Sequence, residues 1–192
     1  PSSGLLPGIQ DVEPGRPGSG DECIQAYNFR ICLTKAKDRI PFPRPESYDP
    51  ERYELLARYI ATGIHDSLNL TAWMPNGKTD TNNHGAFSTD MIGENWQWPE
   101  AGYRRREEIF QEHVRYMQGM LYFLSHDERV PAFIRRETGE FGLPADEFTE
   151  SGGWPHELYV REARRMISDH VMTEHNCIGG TEPEDPVALA AY

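Results

Sequence analysis

Residues 152–173 read GGWPHELYVREARRMISDHVMT. Two glycines and a proline open this stretch, a composition typical of a turn that brings the backbone close to another group. In residues 164–173, Ile167 and Val171 alternate with polar and methionine side chains, and this alternation predicts a β-strand. We therefore expect residues 157–173 to form one strand of the sheet that decides the fold.

The same stretch carries a dense group of charges, Arg161, Glu162, Arg164 and Arg165, among its apolar residues. An unpaired charge is very costly to bury, so each of these groups needs a partner. The partners are either one another, as in a structural ion-pair cluster, or a bound anion. Composition alone favours the structural cluster.

Composition limits the classes of protein to which this chain can belong. With 192 residues, of which 38% are hydrophobic, the chain can bury a core about the size of one domain. The net charge of −12 argues against a nucleic acid or an anionic membrane surface as partner, because no basic stripe is present to release counterions. No segment approaches the ~18 consecutive apolar residues of a membrane span.

The cysteine and histidine spacings indicate no metal site. Cys23, Cys32 and Cys177 form neither a C-x-x-C pattern nor a zinc-like one, and they indicate no disulfide framework. No two histidines have the H-x-x-x-H spacing of helical metal ligands. The chain begins with Pro1 rather than methionine, so we expect it to be the interior of a longer protein, and its compartment is not indicated.

The clearest strand pattern lies in residues 23–34, where apolar side chains occupy every second position. Asn28 and Arg30 fall on the other face of this strand. They face solvent if the sheet has one open side, and they point into a cleft if another layer covers them.

Capping residues and helical periodicity predict three helices. Asp49 and Pro50 form an N-cap and a first-turn proline, and the helix that they start is expected to end at Gly63. Apolar residues repeat at four- and three-residue spacing through the longest helix, and a shorter one begins at a proline and stops at a glycine. The three predicted ranges are 50–63, 100–124 and 131–139.

These elements predict an α+β fold in which a small mixed or antiparallel sheet is flanked by helices. The sheet is expected to contain residues 23–34 and 157–173. Residues 1–22 are rich in proline and glycine, and they are expected to form an irregular segment before a single domain at residues 23–192.

A long stretch with little helical period, residues 64–98, is rich in Asn, Asp, Gly and Trp. Long loops in compact domains often carry function. The polar side chains are suited to hydrogen bonds with a polyol and the tryptophans to stacking on a sugar ring. Alternatively, the polar side chains cap the backbone of their own loop. The side chains concerned are Asn82, Asn83, His84, Ser88 and Asp90, with Trp73, Trp96 and Trp98.

Three longer strings carry a resemblance to a known family. They are GDECIQAYNFRICLT at residues 20–34, GAFSTDMIG at 85–93 with WPEA at 98–101, and GWPHELYVREARRM at 153–166. Together they resemble a bacterial family of FAD-dependent oxidoreductases, whose members often occur beside carbohydrate-degradation genes and are sometimes labelled xanthan-lyase-like. The strings occur in matching order, and the likeness covers most of the chain.

The resemblance implies an oxidation with FAD as cofactor, in which hydride passes from a sugar-like or alcohol CH–OH group to the flavin. In this family a glycine-rich βαβ unit seats the FAD diphosphate, and we expect that unit to lie upstream of the matched strings. The chain is then the substrate-covering portion of a two-domain flavoprotein, and it is expected to be inactive without the rest.

Residue type and position near the three strings suggest site residues. His84 and His170 are candidates for taking the hydroxyl proton, because the unperturbed pKa of histidine suits neutral pH. The candidates for binding substrate, or for placing charge near the flavin, are Asn28, Arg30, Asn83, Arg161, Arg164 and Arg165.

Two other functions stay open from the residues alone. A glycoside-active hydrolase would use two of Asp90, Glu94 and Glu100 as acid and base, about 5 to 9 Å apart. A non-catalytic carbohydrate-binding module would use the loop rich in Trp and Asn. A small molecule or carbohydrate is the expected partner in each case. Apolar surface left where a companion domain would dock predicts self-association or a large unpaired sheet edge.

Overall fold

The computed structural model describes residues 4–13, 15–16, 19–68, 70–186 and 188. The chain forms two compact units. The main unit contains Pro1–Asp11 and Cys23–Ala163, and the second unit contains Val12–Glu22 and Arg164–Tyr192. Among the described helices, none is long and apolar enough to cross a membrane. The predicted division into residues 1–22 and 23–192 stays a prediction.

The main unit contains a three-stranded antiparallel sheet beside its helices, which confirms the predicted α+β class. Strand β1 is Ile31–Thr34, β2 is Trp73–Met74 and β3 is Lys78–Thr81, and β3 lies in the middle of the sheet. Ile31 of β1 lies opposite Thr81, and Trp73 of β2 lies opposite Thr79.

The three predicted helices are confirmed, with ends that differ by a few residues. The first begins as a 3-10 turn at Pro50–Tyr53, where the Asp49 side chain accepts a hydrogen bond from the backbone N–H of Glu51, and continues as α1 at Glu54–Ala61. Helix α2 is Tyr103–His126 and α3 is Ala132–Glu140. The second unit adds a short helix, α4 at Glu174–Cys177, which the sequence did not predict.

Strands β2 and β3 form a hairpin inside the stretch that was predicted to be a loop, so that prediction was wrong for residues 73–81. The turn is Pro75–Gly77, in which Asn76 and Gly77 have φ values of 70° and 71°. Positive φ at consecutive Asn-Gly positions is typical of a tight hairpin turn. Strand β3 reads Lys-Thr-Asp-Thr, and this polar composition gives no apolar alternation to detect.

The strand predicted at residues 157–173 was wrong, and the strand predicted at 23–34 is regular only over β1. In the main unit Tyr159 makes an isolated antiparallel bridge with Asn28. Residues 164–173 belong to the second unit, in which no strand is described, and Ile167 is 98% exposed. An alternating pattern forms a strand only where a neighbour supplies hydrogen bonds and covers one face.

The core of the main unit packs the chain around β1 against α1 and α2. The ring of Phe29 meets those of Phe110 and Trp154 edge-on, with centroids 5.1 and 5.5 Å apart. Next to it, the N–H of Met91 donates to the carbonyl of Tyr27 over 3.3 Å. This packing brings three distant segments side by side, namely residues 26–30, 82–92 and 154–162.

Candidate functional site

The guanidinium of Arg161 connects a polar loop at residues 82–92, the site loop, to the rest of the main unit. Nη1 of Arg161 donates to Asp90 Oδ1 over 2.9 Å and to the carbonyl of Ala26 over 2.7 Å. Nη2 donates to Asn83 Oδ1 over 2.9 Å and to Asn28 Oδ1 over 3.4 Å. The Arg161 and Asp90 side chains are only 10% and 16% exposed. The predicted residues Asn28, Asn83 and Arg161 therefore meet in one partly buried cluster.

These contacts use all four terminal N–H groups of Arg161, and only its Nε–H lies outside them. The amide of Asn28 extends the cluster, because its Nδ2 donates to Asn82 Oδ1 over 2.7 Å and to Thr89 Oγ1 over 3.2 Å. The geometry of Arg161 is that of a group that positions the site loop. Its role toward substrate stays a prediction.

Two tyrosines hold the site loop from the helical side. Tyr116 in α2 donates through its hydroxyl to the carbonyl of Ser88 over 2.7 Å. Burial raises the pKa of Tyr116 well above its usual range, so the hydroxyl keeps its proton and remains a donor. Tyr59 in α1 donates to Asp66 Oδ1 over 2.7 Å and accepts a hydrogen bond from the N–H of Ala86 over 3.4 Å.

The site loop lines a cavity of about 350 Å³, the first cavity. This volume lies within the range of about 300 to 1,000 Å³ that is usual for small-molecule sites. The apolar part of the wall includes Phe87, Met91 and Leu55. The polar and charged side chains in the wall are Arg52, Ser88, Asp90, Glu94 and Tyr116.

Asp90 is a carboxylate of this wall with a shifted pKa. Burial raises the pKa of its carboxyl, although the guanidinium of Arg161 acts in the opposite direction. Only Oδ1 is bonded to Arg161, and among the described residues no donor reaches Oδ2. A partly buried carboxylate with a raised pKa and an unused oxygen, in the wall of a cavity, is suited to accept a hydrogen bond or a proton from a ligand.

Among the described residues, Arg52 is the positively charged side chain in the wall of the first cavity. Its Nη1 lies 3.5 Å from Glu112 Oε2, and its guanidinium stacks over the ring of Tyr116, 5.5 Å from the ring centre. Glu94 lies on an exposed part of the same wall. Arg52 is paired with Glu112 and Asp90 with Arg161, so Glu94 is the charged wall side chain that has no ion-pair partner among the described residues.

The other predicted site residues lie outside the cluster around Arg161. Arg30 forms an exposed ion pair with Asp80, with Nε 2.9 Å from Oδ1. His84 lies in the site loop but is exposed, and its Nδ1 contacts the carbonyl of Asp66 over 2.8 Å. Three predicted residues belong to the second unit, namely Arg164, Arg165 and His170.

The residues of the two alternative functions are only partly brought together. Asp90 and Glu94 line the first cavity, whereas Glu100 is absent from its described wall. Of the three tryptophans, Trp73 is exposed on β2, and Trp98 packs edge-on against Tyr27 with ring centres 5.9 Å apart. No tryptophan is among the described wall residues of the first cavity.

Arg52 and Tyr116 were missed by the sequence analysis. Both lie in helical segments, and helical spacing made those segments look like scaffold alone. Tyr116 gave a weak signal, because a tyrosine has an apolar ring and a polar hydroxyl and often forms a hydrogen bond at the edge of a core. Arg52 gave no signal, because an arginine in a first helical turn is usually solvated.

The sequence profile of the family described as FAD dependent oxidoreductase matches residues 6–192. The chain belongs to this family. The match confirms the predicted resemblance and implies FAD as the cofactor. No curated protein and no solved structure matches the chain.

The described residues do not form a dinucleotide site for FAD. A dinucleotide site needs a strand, a glycine-rich turn and a helix, with a parallel strand beside the first. In the part of the chain that the structure describes, every strand pair is antiparallel, so the diphosphate of FAD has no such unit there. We assign no described residue to holding FAD. The described groups are instead suited to a small ligand in the first cavity.

Proposed function

We propose that the main unit binds the substrate of an FAD-dependent oxidation of a CH–OH group. Such an oxidation removes a hydride from carbon and a proton from oxygen, and FAD supplies the electron acceptor in this family. One observation carries the proposal most directly. Asp90 lines the first cavity with a raised pKa, one oxygen held by Arg161, and the other without a described donor.

In this proposal Asp90 accepts the hydrogen bond of the substrate hydroxyl and takes its proton. A raised carboxyl pKa makes proton acceptance near neutral pH more favourable than for an ordinary aspartate. Arg161 keeps the carboxylate in place through Oδ1, and the Tyr116 hydroxyl fixes the loop backbone at Ser88. His84 and His170, the histidines predicted for the same proton, remain the competing candidates.

The charges of the first cavity favour an uncharged, hydroxyl-rich substrate. Glu94 repels a carboxylate or phosphate, whereas the charges of Arg52 and Asp90 are each paired, with Glu112 and Arg161. Two carboxylates accept hydrogen bonds from hydroxyl groups, and Phe87 and Met91 cover the less polar face of a ring. A neutral sugar or polyol fits this combination better than a hydroxy acid does.

Rapid mixing of the FAD-loaded natural protein with neutral sugars and polyols, in the absence of oxygen, tests the proposal. Loss of flavin absorbance reports substrate oxidation. We expect Asp90→Asn to slow this step by about 10²- to 10⁴-fold, the usual contribution of a general base. Asp80→Asn is the matched control, because Asp80 is also bonded to an arginine but is absent from the described wall of the first cavity.

Other outcomes would contradict the proposal. If Asp90→Asn keeps the wild-type rate and His84→Gln or His170→Gln is slow, that histidine and not Asp90 accepts the substrate proton. Release of reducing sugar without any flavin reduction would instead favour the hydrolase alternative. If the natural protein binds FAD but no hydroxyl compound reduces the bound flavin, the proposal of a CH–OH substrate is wrong.

A further inference from the structure

A second cavity of about 260 Å³ lies in the main unit where α1, α2 and α3 approach the segment before β2. Its described wall includes Ile60 of α1, Leu124 of α2 and Phe133 of α3. It shares no described wall residue with the first cavity, so the proposed oxidation does not account for it.

One wall residue carries a polar side-chain atom that is both buried and without a described partner. Ser67 is 5% exposed, and within the described residues its hydroxyl has no hydrogen-bond partner. Buried hydroxyl groups in native proteins are nearly always bonded, because an unpaired one loses its hydration without compensation. The hydroxyl therefore points to a ligand that supplies an oxygen.

The rest of the wall sets the chemistry of such a ligand. Leu68, Leu70 and Ile134 provide an apolar surface, and the ring of His65 meets Phe133 edge-on at 5.2 Å. Glu137 is the exposed carboxylate of the wall and disfavours an anion. The volume is slightly below the range of about 300 to 1,000 Å³ for drug-sized ligands, so the ligand is small.

We propose that the second cavity binds a small, uncharged molecule with an apolar body and one hydroxyl or carbonyl oxygen, which accepts a hydrogen bond from Ser67. The apolar body is covered by the leucine and phenylalanine side chains, and the oxygen bonds to the Ser67 hydroxyl, which is the buried polar side-chain atom of the described wall that has no partner. This site is separate from the one proposed for the oxidised substrate.

Benzyl alcohol and toluene are matched probes, because they differ in one CH2OH group. Isothermal titration of the purified chain is expected to show saturable binding of both probes, with benzyl alcohol about fivefold tighter. Ser67→Ala should remove this preference, and Ser67→Thr, which keeps a hydroxyl, should retain part of it. Leu70→Phe should abolish binding of both probes, because the larger ring fills the cavity.

Ser125→Ala is the control, since the Ser125 hydroxyl already donates to the carbonyl of Leu121 over 2.7 Å. Circular dichroism of each variant shows whether it has folded. If neither probe binds saturably to the wild-type chain, the hydroxyl is met by water and the proposal is overturned. A preference for benzyl alcohol that survives in Ser67→Ala would also overturn it.

The stability of Ser67→Ala gives an independent reading that needs no ligand. Removing a hydroxyl that has no partner should leave the melting temperature unchanged or raise it. A clear fall would mean that the hydroxyl is already bonded in the free protein, and the proposal would lose its main support.

Discussion

Two arginines of the main unit show how environment decides what one residue type does. Arg30 and Arg161 each pair with an aspartate, yet the Arg30 side chain is 45% exposed and that of Arg161 only 10%. An exposed ion pair is screened by water and contributes little. A buried one cannot lose a partner without leaving an uncompensated charge behind. Arg161 therefore helps to hold the site loop in place, together with Tyr116 and Tyr59.

Removing the guanidinium of Arg161 should destabilise the main unit far more than removing that of Arg30. We expect Arg161→Met to lower the free energy of unfolding by about 3 to 5 kcal/mol, because Asp90 loses its partner. Arg30→Met should change it by about 1 kcal/mol or less. Urea unfolding of both variants measures the difference, and equal effects would contradict a positioning role for Arg161.

His113 should make stability depend on pH. It is fully buried, its Nδ1 contacts the carbonyl of Ile109 over 2.8 Å, and burial lowers its pKa. The unfolded chain then binds this proton more readily than the folded one. The contribution of neutral His113 to the free energy of unfolding is fully present above the unfolded-state pKa of ~6.5. It is lost as pH falls through that value toward the lower folded-state pKa.

Replacement of His113 by Phe should remove this part of the pH dependence, while the slope due to carboxylates at lower pH remains. Urea unfolding at several pH values between about 5 and 8 follows the effect. His126→Phe is the control, because His126 is exposed at the end of α2. The same slope in wild type and His113→Phe would rule out His113 as its source.

At the scale of elements, the position of α2 relative to the first helical segment depends on one small residue. A Cβ at Gly119 would overlap the hydroxyl of Tyr53, which donates to the carbonyl of Tyr116 over 2.8 Å. Both tyrosine rings are buried. The absence of a side chain at this position lets the two elements approach, and Tyr116 in turn contacts the site loop.

Gly119→Ala should therefore destabilise the chain although alanine favours helices. We expect a loss of about 1 to 3 kcal/mol, typical of overpacking in a core. In contrast, Gly102→Ala at the start of α2 meets open space and should cost about 1 kcal/mol or less. Thermal unfolding compares the two variants. A neutral Gly119→Ala would show that Tyr53 can move away.

At the scale of the whole molecule, the chain combines membership of an FAD-dependent family with described strands that are all antiparallel. The main unit also exposes large apolar side chains, including Ile92 at 60% and Phe133 at 48%. Ile92 lies in the wall of the first cavity and Phe133 in that of the second, so they are separate exposed positions.

We expect the isolated chain to self-associate through exposed apolar side chains such as Ile92. Static light scattering should give at least twice the monomer mass, and the dye ANS should bind with increased fluorescence. Ile92→Glu should reduce both signals, whereas substitution of an exposed charged residue, Glu107→Gln, should not. A strictly monomeric chain that is silent toward ANS would contradict this expectation.

The sequence by itself determined the family, through the three strings that resemble it. It also determined the α+β class and the three main helices, because caps and helical periodicity depend on neighbouring residues. It could not find β3, whose polar residues form a strand only because β1 and β2 lie on either side. It also placed a strand at residues 164–173, where the described second unit offers no partner strand.

Only the tertiary structure decided which candidate residues form one site. Arg161 lies 71 residues from Asp90 and 78 from Asn83 along the chain, yet its guanidinium joins both. Such contacts depend on how distant segments pack around β1, and no local pattern encodes them. The burial that raises the pKa of Asp90 has the same origin, because desolvation is a property of the packed unit and not of the residue.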